Sequence, residues 1–230
     1  MDYVGLHIFH DMISGDHKVG EGWISWREAR KAVRSLASRF QRLKEASVSE
    51  HGVVTLALAA RFGVSPLALS RYERKGMLHR SGRGLYRFAD ELPGEGDEIR
   101  DVLIEYGSQA VASHETALRL LQLSDVNPSF IHITIPRSKR YVTPRRNIVV
   151  HTTSLPMEAH ERTMIEGIAV TAPARSIVDA ARDGTQWDQI DAAVREAILD
   201  GRISKEDLRR ALERATRQVR EHIESLLKGF

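Results

Sequence analysis

The sequence predicts an α+β fold in two parts, and three features of the chain indicate it. Before residue 90, two short helical patterns joined by a glycine-containing turn are followed by a hairpin pattern. Residues 90–97 then form an acidic stretch with proline and glycine, which is typical of a boundary between domains. Beyond it, helical and short strand patterns alternate and then give way to helices alone. A small N-terminal domain is therefore expected to precede a mixed α/β domain with a helical C-terminal tail.

The composition is that of a globular protein and excludes several kinds of site. None of the 230 residues is a cysteine, so disulfides, thiolate catalysis and sulfur-ligated zinc are excluded. Residues 1–20 contain three aspartates and lack the basic start and apolar run of an export signal. No apolar run approaches the ~18 residues that a membrane span requires. The protein is therefore expected to be cytoplasmic.

The net charge of +3 conceals an uneven distribution along the chain. Residues 1–24 carry −3, whereas residues 25–88 carry +10, with fourteen Lys and Arg against four Asp and Glu. Residues 89–136 carry −7, and residues 137–230 carry +3. A basic block beside an acidic one indicates a module that binds a polyanion, joined to a module with another task.

A basic helix is predicted to begin at Ser25, because Ser25 and Glu28 have the spacing of a capping box. Apolar residues follow at helical intervals and form one stripe: Ala29, Val33, Leu36, Phe40 and Leu43. Packing as the first helix of the N-terminal domain is the favoured interpretation of this stripe. Its seven-residue repeat would also suit a dimer interface, although fewer than three heptads are present. Residues 1–24, which precede the helix, are rich in glycine and are expected to form an irregular segment.

Two further helices and a hairpin are predicted to follow. Thr55 can cap a helix that Gly63 ends, and Ser65, followed by proline, begins a second helix that runs to about Lys75. The strand-like runs of the hairpin are Met77–Arg80 and Leu85–Phe88. This order of elements is that of a winged helix-turn-helix, which is predicted for residues 25–90.

The second of these helices is where a DNA sequence would be read. Its apolar residues Leu67, Leu69 and Tyr72 are expected to face the domain core. Arginine on the remaining face can bind guanine edges, whereas serine and lysine suit phosphates. The predicted DNA-binding residues of the helix and the wing are Ser70, Arg71, Arg74, Lys75, Arg80 and Arg83. A solvated basic helix beside an unrelated hairpin is the alternative, and the charge of the block favours DNA.

The second domain is predicted to span residues 97–230. Helices are expected near 98–106, 113–121, 173–182, 187–199 and 205–227, and strands near 131–135, 148–152 and 168–171. A loop between two of these strands carries five basic residues: Arg137, Lys139, Arg140, Arg145 and Arg146. They are predicted to make a second contact with DNA phosphates. A charged loop that only keeps the protein soluble explains them equally well.

Enzyme motifs are weak in this sequence. The pair His7-x-x-His10 has metal-ligand spacing, but the glycine-rich sequence after it argues against a rigid helix. Ser113 stands beside His114, yet neighbouring residues on a helix do not face each other, and Ser113 is expected to be an N-cap. Neither a G-x-S-x-G motif nor a phosphate-binding glycine loop is present. No catalytic residue, metal site or cofactor is therefore predicted, and the protein is not expected to be an enzyme.

Several short blocks of sequence carry a resemblance to a known family. They are His51–Thr55, Gly63–Ser65, Arg74–Leu78, Arg83–Tyr86, Ala112–Leu121, Ile131–Pro136 and Gly167–Asp179. The last block is the most specific of them. Taken in this order, over roughly residues 45–215, the blocks resemble the AbiE-type antitoxins of type IV toxin–antitoxin pairs, which are AbiEi-like winged-helix transcriptional regulators.

The resemblance implies a repressor that binds its own promoter through the winged helix, commonly at inverted repeats. It also implies a C-terminal domain that neutralises a partner toxin of nucleotidyltransferase fold. The expected partners are double-stranded DNA and this toxin, with no membrane. The same blocks occur in longer, nuclease-related proteins, and this chain, which ends at Phe230, is expected to lack their catalytic domain. The alternatives are a nuclease-related protein without its catalytic domain and a stand-alone regulator or adaptor with no toxin.

Overall fold

The computed structural model describes residues 26–94, 96–139 and 147–230. These residues form two compact units, which divide between Pro93 and Gly94. Each unit has a sheet and a hydrophobic core of its own. The α+β class predicted from the sequence is confirmed.

The first unit is a winged helix-turn-helix. Its helices are α1 (Trp26–Val48), α2 (Leu56–Arg61) and α3 (Pro66–Arg74), and its strands are β1 (Val54–Thr55), β2 (Leu78–Gly82) and β3 (Leu85–Phe88). The strands form an antiparallel sheet in the order β1-β3-β2, in which Val54 and Arg80 both lie opposite Tyr86. Strand β1, which the sequence patterns did not indicate, adds a third strand to the predicted hairpin.

The helix-turn-helix begins at the residues that the sequence predicted as caps. The side chains of Thr55 and Ser65 each accept a hydrogen bond from the backbone N–H three residues ahead, at 3.0 and 3.2 Å. Pro66 occupies the first turn of α3, where its missing N–H costs nothing. The turn between α2 and α3 contains Gly63 at φ 67°, a left-handed conformation that glycine adopts without a steric penalty.

The core of the first unit joins its helices to its sheet. Buried side chains from all of these elements meet there: Leu43, Leu58, Leu69, Leu78 and Phe88. Phe40 packs against this cluster, as the stripe on α1 predicted, whereas Leu36 is 41% exposed. The apolar stripe is therefore buried in the later turns of α1, and Leu36 lies outside the core.

One predicted core position on α3 was wrong. Leu67 was expected to face inward with Leu69 and Tyr72, but it is 60% exposed. Residues two positions apart on an α-helix point about 200° away from each other, so Leu67 and Leu69 cannot share a face. Ala68 takes the inward position instead, beside Leu69 and Tyr72.

The second unit is a mixed α/β domain with a helical tail. Its helices are α4 (Asp97–Tyr106), α5 (His114–Leu120), α6 (Pro173–Asp183), α7 (Trp187–Leu199), α8 (Lys205–Leu212) and α9 (Arg217–Leu227). Its strands are β4 (Val111–Ala112), β5 (Ile131–Pro136), β6 (Ile148–Thr153), β7 (Arg162–Ile165) and β8 (Ile168–Thr171). A single 3-10 turn, Arg137–Lys139, follows β5, and another, Ala159–Glu161, precedes β7.

The sheet of the second unit has the strand order β6-β5-β4-β8-β7. The pairs β5–β6 and β4–β8 are parallel, whereas β4–β5 and β7–β8 are antiparallel. Helix α4 packs against β4, β5 and β8, and α5 packs against β5 and α6. Along β5, Ile131, Ile133 and Ile135 alternate with His132 and Thr134, so the two sets point to opposite faces of the sheet.

The secondary structure of the second unit differs from the prediction in its helical tail and in its sheet. The tail was expected to be one helix over 205–227, but α8 ends at Leu212. Thr216 then caps α9 by accepting a hydrogen bond from the Val219 backbone N–H at 3.4 Å. Strands β4 and β7 were not predicted; β4 in particular, with two residues, is too short to give a periodic pattern.

Among the described residues, no helix is both long enough and apolar enough to cross a membrane.

Candidate nucleic-acid interface

Helix α3 presents its basic residues on the side away from the core. Leu69 is fully buried and anchors the helix, whereas Arg71, Arg74 and Lys75 are exposed. At about 100° per residue, these three positions lie roughly 120° or more around the helix from Leu69. Ser70 is half-buried, and its backbone carbonyl accepts a hydrogen bond from Arg74 Nε at 3.4 Å. The predicted contact residues of α3 therefore form one outward face, with Ser70 at its margin.

Strands β2 and β3 form the wing, whose turn consists of Arg83 and Gly84. Gly84 has φ 73°, a conformation in which any other residue would be strained. Arg83 is exposed at this turn. Arg80 is also exposed, and its Nε donates a hydrogen bond to the Gly82 carbonyl at 3.0 Å. This bond uses Nε, so it leaves the two terminal nitrogens of the guanidinium outside the hydrogen bond.

The end of the wing is tied to α1 by an ion pair. Lys44 Nζ donates a hydrogen bond to the Asp90 carboxylate and lies 5.5 Å from the centroid of the Phe88 ring. The hydrogen bond from Lys44 is the main reason why the pKa of Asp90 lies below its usual value. Lys44, one of the cations of the basic block (residues 25–88), is therefore paired with a carboxylate of the protein itself.

The basic loop of the second unit is described only at its start. Arg137 and Lys139 are exposed on the turn that follows β5. Arg140, Arg145 and Arg146 lie outside the described residues. The predicted DNA contacts of the helix and the wing thus lie in the first unit, and those of the loop lie in the second.

The most specific sequence block of the second unit contains Arg175, which is held in a buried ion-pair network. Arg175 donates from Nε to Asp179 at 2.5 Å and from Nη1 to Glu161 at 2.8 Å. Arg214 also donates to Glu161, at 2.7 Å. Burial acts to raise the pKa of Glu161, but a backbone hydrogen bond and the charges of Arg175 and Arg214 outweigh it and lower that pKa. This block therefore stabilises the second unit by joining α6 to the turn before β7.

Three histidines of the second unit form a cluster that was not predicted from the sequence: His114, His132 and His151. One ring nitrogen from each histidine lies within 4.8 Å of a ring nitrogen of each of the other two. Burial is the main reason why the pKa of His114 falls to about 2, and burial also lowers the pKa of His151. The only signal in the sequence is the alternation along β5, which sets His132 and Thr134 apart from the core isoleucines. The register of β6, which brings His151 beside them, has no such signal.

The chain matches two family models. Residues 41–89 match the model described as "Transcriptional regulator, AbiEi antitoxin", and residues 110–229 match the model described as "AbiEi antitoxin C-terminal domain". Among curated proteins, none matches the chain significantly.

The fold is similar to that of a solved structure, the crystal structure of the RV2827C protein from Mycobacterium tuberculosis. The two structures agree with a TM-score of 0.60 at 17% sequence identity, over 83% of this chain and 76% of that chain. At this identity the similarity concerns the fold alone. The two family matches fall on the winged helix and on the mixed α/β unit, and together they show that the chain belongs to the AbiEi antitoxin family of antitoxins and transcriptional regulators.

Proposed function

We propose that this protein is the antitoxin and repressor of a type IV toxin–antitoxin pair. The first unit would bind the promoter of its own operon, and the second would neutralise a toxin of nucleotidyltransferase fold. The exposed basic face of α3, formed by Arg71, Arg74 and Lys75 on a helix that Leu69 anchors, carries the DNA-binding part. Membership of the antitoxin family supports the second part.

Helix α3 is proposed to be the recognition helix that enters the major groove. Arg71, in the middle of the exposed face, can present its guanidinium to O6 and N7 of guanine. Arg74 and Lys75, at the C-terminal end of the helix, suit phosphates, and Ser70 is a secondary contact.

The wing and the basic loop are proposed to extend this contact. Arg80 and Arg83 would lie along the DNA backbone or enter the adjacent minor groove. The loop would add phosphate contacts through Arg137, Lys139, Arg140, Arg145 and Arg146. These contacts fix register and affinity, whereas the helix reads the bases.

Replacing Arg71 by alanine is expected to weaken binding to the DNA upstream of the protein's own gene by ~1–3 kcal/mol, because a bidentate base contact is lost. Random duplex DNA of the same length should be bound almost as before. Fluorescence anisotropy with both duplexes at one fixed salt concentration measures the two affinities.

Lys228→Ala is the matched control, because it removes the same charge from an exposed position at the end of the chain. It should leave both affinities unchanged. An equal loss on both duplexes would reassign Arg71 to phosphate contact. If the wild-type protein does not bind its upstream DNA even at low salt, the proposal is wrong.

We further propose that residues 25–90 and 97–230 are domains with separable tasks. Residues 1–90 and 97–230, expressed separately, are expected to retain promoter binding and toxin neutralisation, respectively. If the five cations of the loop contact phosphates, the N-terminal half should show a salt slope shallower by up to about 4.5 than the full chain, because each neutralised phosphate adds roughly 0.9.

Anisotropy titrations over a range of salt concentrations measure that slope, and growth rescue from a co-expressed toxin tests the C-terminal half. An unchanged slope would leave the loop without a role in DNA binding. If neither half folds, or the N-terminal half loses all affinity, the two units act as one and the boundary is wrong.

We propose that the protein has no catalytic activity of its own, because the family to which it belongs consists of antitoxins and regulators. Its place of action is proposed to be the cytoplasm, where the promoter of a bacterial operon is found. The toxin would supply the enzymatic activity of the pair.

A further inference from the structure

Three imidazoles converge in the second unit from three separate elements. His114 begins α5, His132 lies on β5 and His151 lies on β6. In the parallel register Thr134 lies opposite His151, so His132, Thr134 and His151 point to the same face of the sheet. Nδ1 of His132 lies 3.1 Å from Nε2 of His151, and one ring nitrogen from each histidine lies within 4.8 Å of the other two.

We propose that His114, His132 and His151 form a binding site for a transition-metal ion, with Zn²⁺ as the best fit. Imidazole nitrogen is a preferred ligand for such ions, and three histidines with one further ligand are a recognised zinc coordination. In a tetrahedral site with Zn–N distances of ~2.0–2.1 Å, neighbouring ligand atoms are about 3.3 Å apart. The separation between His132 and His151 is already close to this value, and the third nitrogen needs only a short approach.

Asp183 supplies a carboxylate at the open side of the cluster. Its Oδ2 lies 3.6 Å from Nδ1 of His132 and 3.9 Å from Nε2 of His151. The side chain of Asp183, at the end of α6, is 41% exposed, whereas His114 and His132 are buried. Asp183 can therefore act as the fourth ligand and also marks a route for the ion from solvent.

Ser113 and Thr134 orient the most buried imidazole. Ser113, predicted to cap α5, makes no capping hydrogen bond in the structure. Its Oγ instead lies 2.9 Å from Nδ1 of His114 and accepts a hydrogen bond from Thr134 Oγ1 at 2.8 Å. When Nδ1 of His114 donates its proton to Ser113 Oγ, the lone pair of Nε2 is left for the ion. A hydrogen bond from the other ring nitrogen is the usual way in which proteins orient a ligating histidine. His114 has φ 53°, a strained conformation for a histidine, and the strain falls at this site.

Loading the site requires one ring to move. The rings of His114 and His151 are stacked, with centroids 3.5 Å apart and an interplanar angle of 16°. A bound ion lies in the plane of each imidazole that ligates it, so two stacked rings cannot both ligate it as they stand. His151 lies on the edge strand β6 and its side chain is partly exposed, so it has room to turn. Metal binding is thus expected to break the stack.

The test uses the full chain, stripped with a chelator and then titrated with Zn²⁺ in competition with a chromophoric chelator. Wild type is expected to bind one more tight zinc ion than the His132→Gln/His151→Gln double variant. Ser113→Ala should weaken this site about 10- to 100-fold, because it removes the partner of the ligating ring. Zinc at about 100 times its Kd should raise the Tm of the wild type by about 5–10 °C and leave that of the double variant nearly unchanged.

His160→Gln is the matched control, because His160 is an exposed histidine of the same unit outside the cluster. It should bind zinc as the wild type does. The histidines of residues 1–24 are present in every variant, so any binding by them cancels in the comparison. Circular dichroism tests whether the double variant is folded. If it is not folded, the visible spectrum of the Co²⁺-loaded wild type tests for the site instead, since tetrahedral nitrogen ligation gives intense bands. Three outcomes would overturn the proposal. The first is equal zinc binding by the wild type and the folded double variant, and the second is a loss of zinc in His160→Gln as large as in the double variant. The third is a wild-type Co²⁺ spectrum without these bands.

Discussion

Substituting Arg175 by methionine is expected to destabilise the second unit by about 3–5 kcal/mol, because buried carboxylates lose their partner. The side chain of Arg175 is 13% exposed and lies between those of Glu161 and Asp179, which are 10% and 5% exposed. Methionine keeps much of the apolar volume but none of the charge. Because Arg214 and Arg182 also reach these carboxylates, the effect should lie towards the lower end of that range. Urea unfolding of the full chain, followed by circular dichroism, measures the loss.

Arg209→Met is the matched control for this substitution. Arg209 forms an ion pair with Glu206 at 3.6 Å, but both side chains are more than half exposed. An exposed pair of this kind contributes about 0–1 kcal/mol. If Arg175→Met costs no more than Arg209→Met, the buried network does not hold the unit together.

The same network gives the stability a defined dependence on pH. The pKa of Glu161 is lower in the folded than in the unfolded protein, so its contribution is complete above the unfolded pKa and is lost as the pH falls through the folded one. An unfolded glutamate titrates near ~4.3, so the difference between wild type and Arg175→Met should be complete at about pH 7 and shrink below about pH 4. Unfolding titrations at these pH values test the sign: a difference that grows in acid would contradict the assignment.

Leu69→Ala is expected to cost the first unit about 2–5 kcal/mol and to abolish operator binding at temperatures where the wild type still binds. Leu69 is fully buried and is the most deeply buried of the residues through which α3 packs on the core. A unit of this size has a small core, so a loss of this magnitude is a large part of its total stability. Thermal unfolding and anisotropy with the same duplex should show both effects together.

Leu67→Ala makes the same chemical change two positions away on the same helix. Because Leu67 is 60% exposed, its truncation should alter stability by no more than about 0.5 kcal/mol. Similar costs for the two substitutions would mean that the faces of α3 are assigned wrongly.

Local signals explain why the winged helix could be predicted from the sequence. Thr55 and Ser65 cap the helices where the sequence places them, and Gly84 stands in the predicted turn of the wing. Each of these signals acts within three or four residues, so an unfolded stretch of chain already contains it. The prediction that Leu67 faces the core was wrong, because it followed the apolar character of the side chain and not its angle around the helix.

The second unit depends more on contacts between distant residues, and there the sequence was less informative. The break before α9 is marked only by Thr216, which a continuous helical pattern conceals. His114, His132 and His151 stand far apart along the chain, and only the register of β5 with β6 brings the last two together. Ser113 occupies the N-cap position of α5, as its local sequence predicted, but its hydroxyl bonds to Thr134 of another strand instead of capping the helix.

Strand β4 has a consequence for how the second unit opens. It is two residues long, yet it pairs with β5 on one side and with β8 on the other. Ala112 alone faces both neighbours, Ile133 and Val170, so the β5–β6 ribbon and the β7–β8 hairpin meet at a single narrow junction. A fluctuation that frees two residues there would separate the sheet into two cooperative blocks without melting either of them. Continuity across the sheet therefore depends less on the backbone ladder than on the helices packed over that junction.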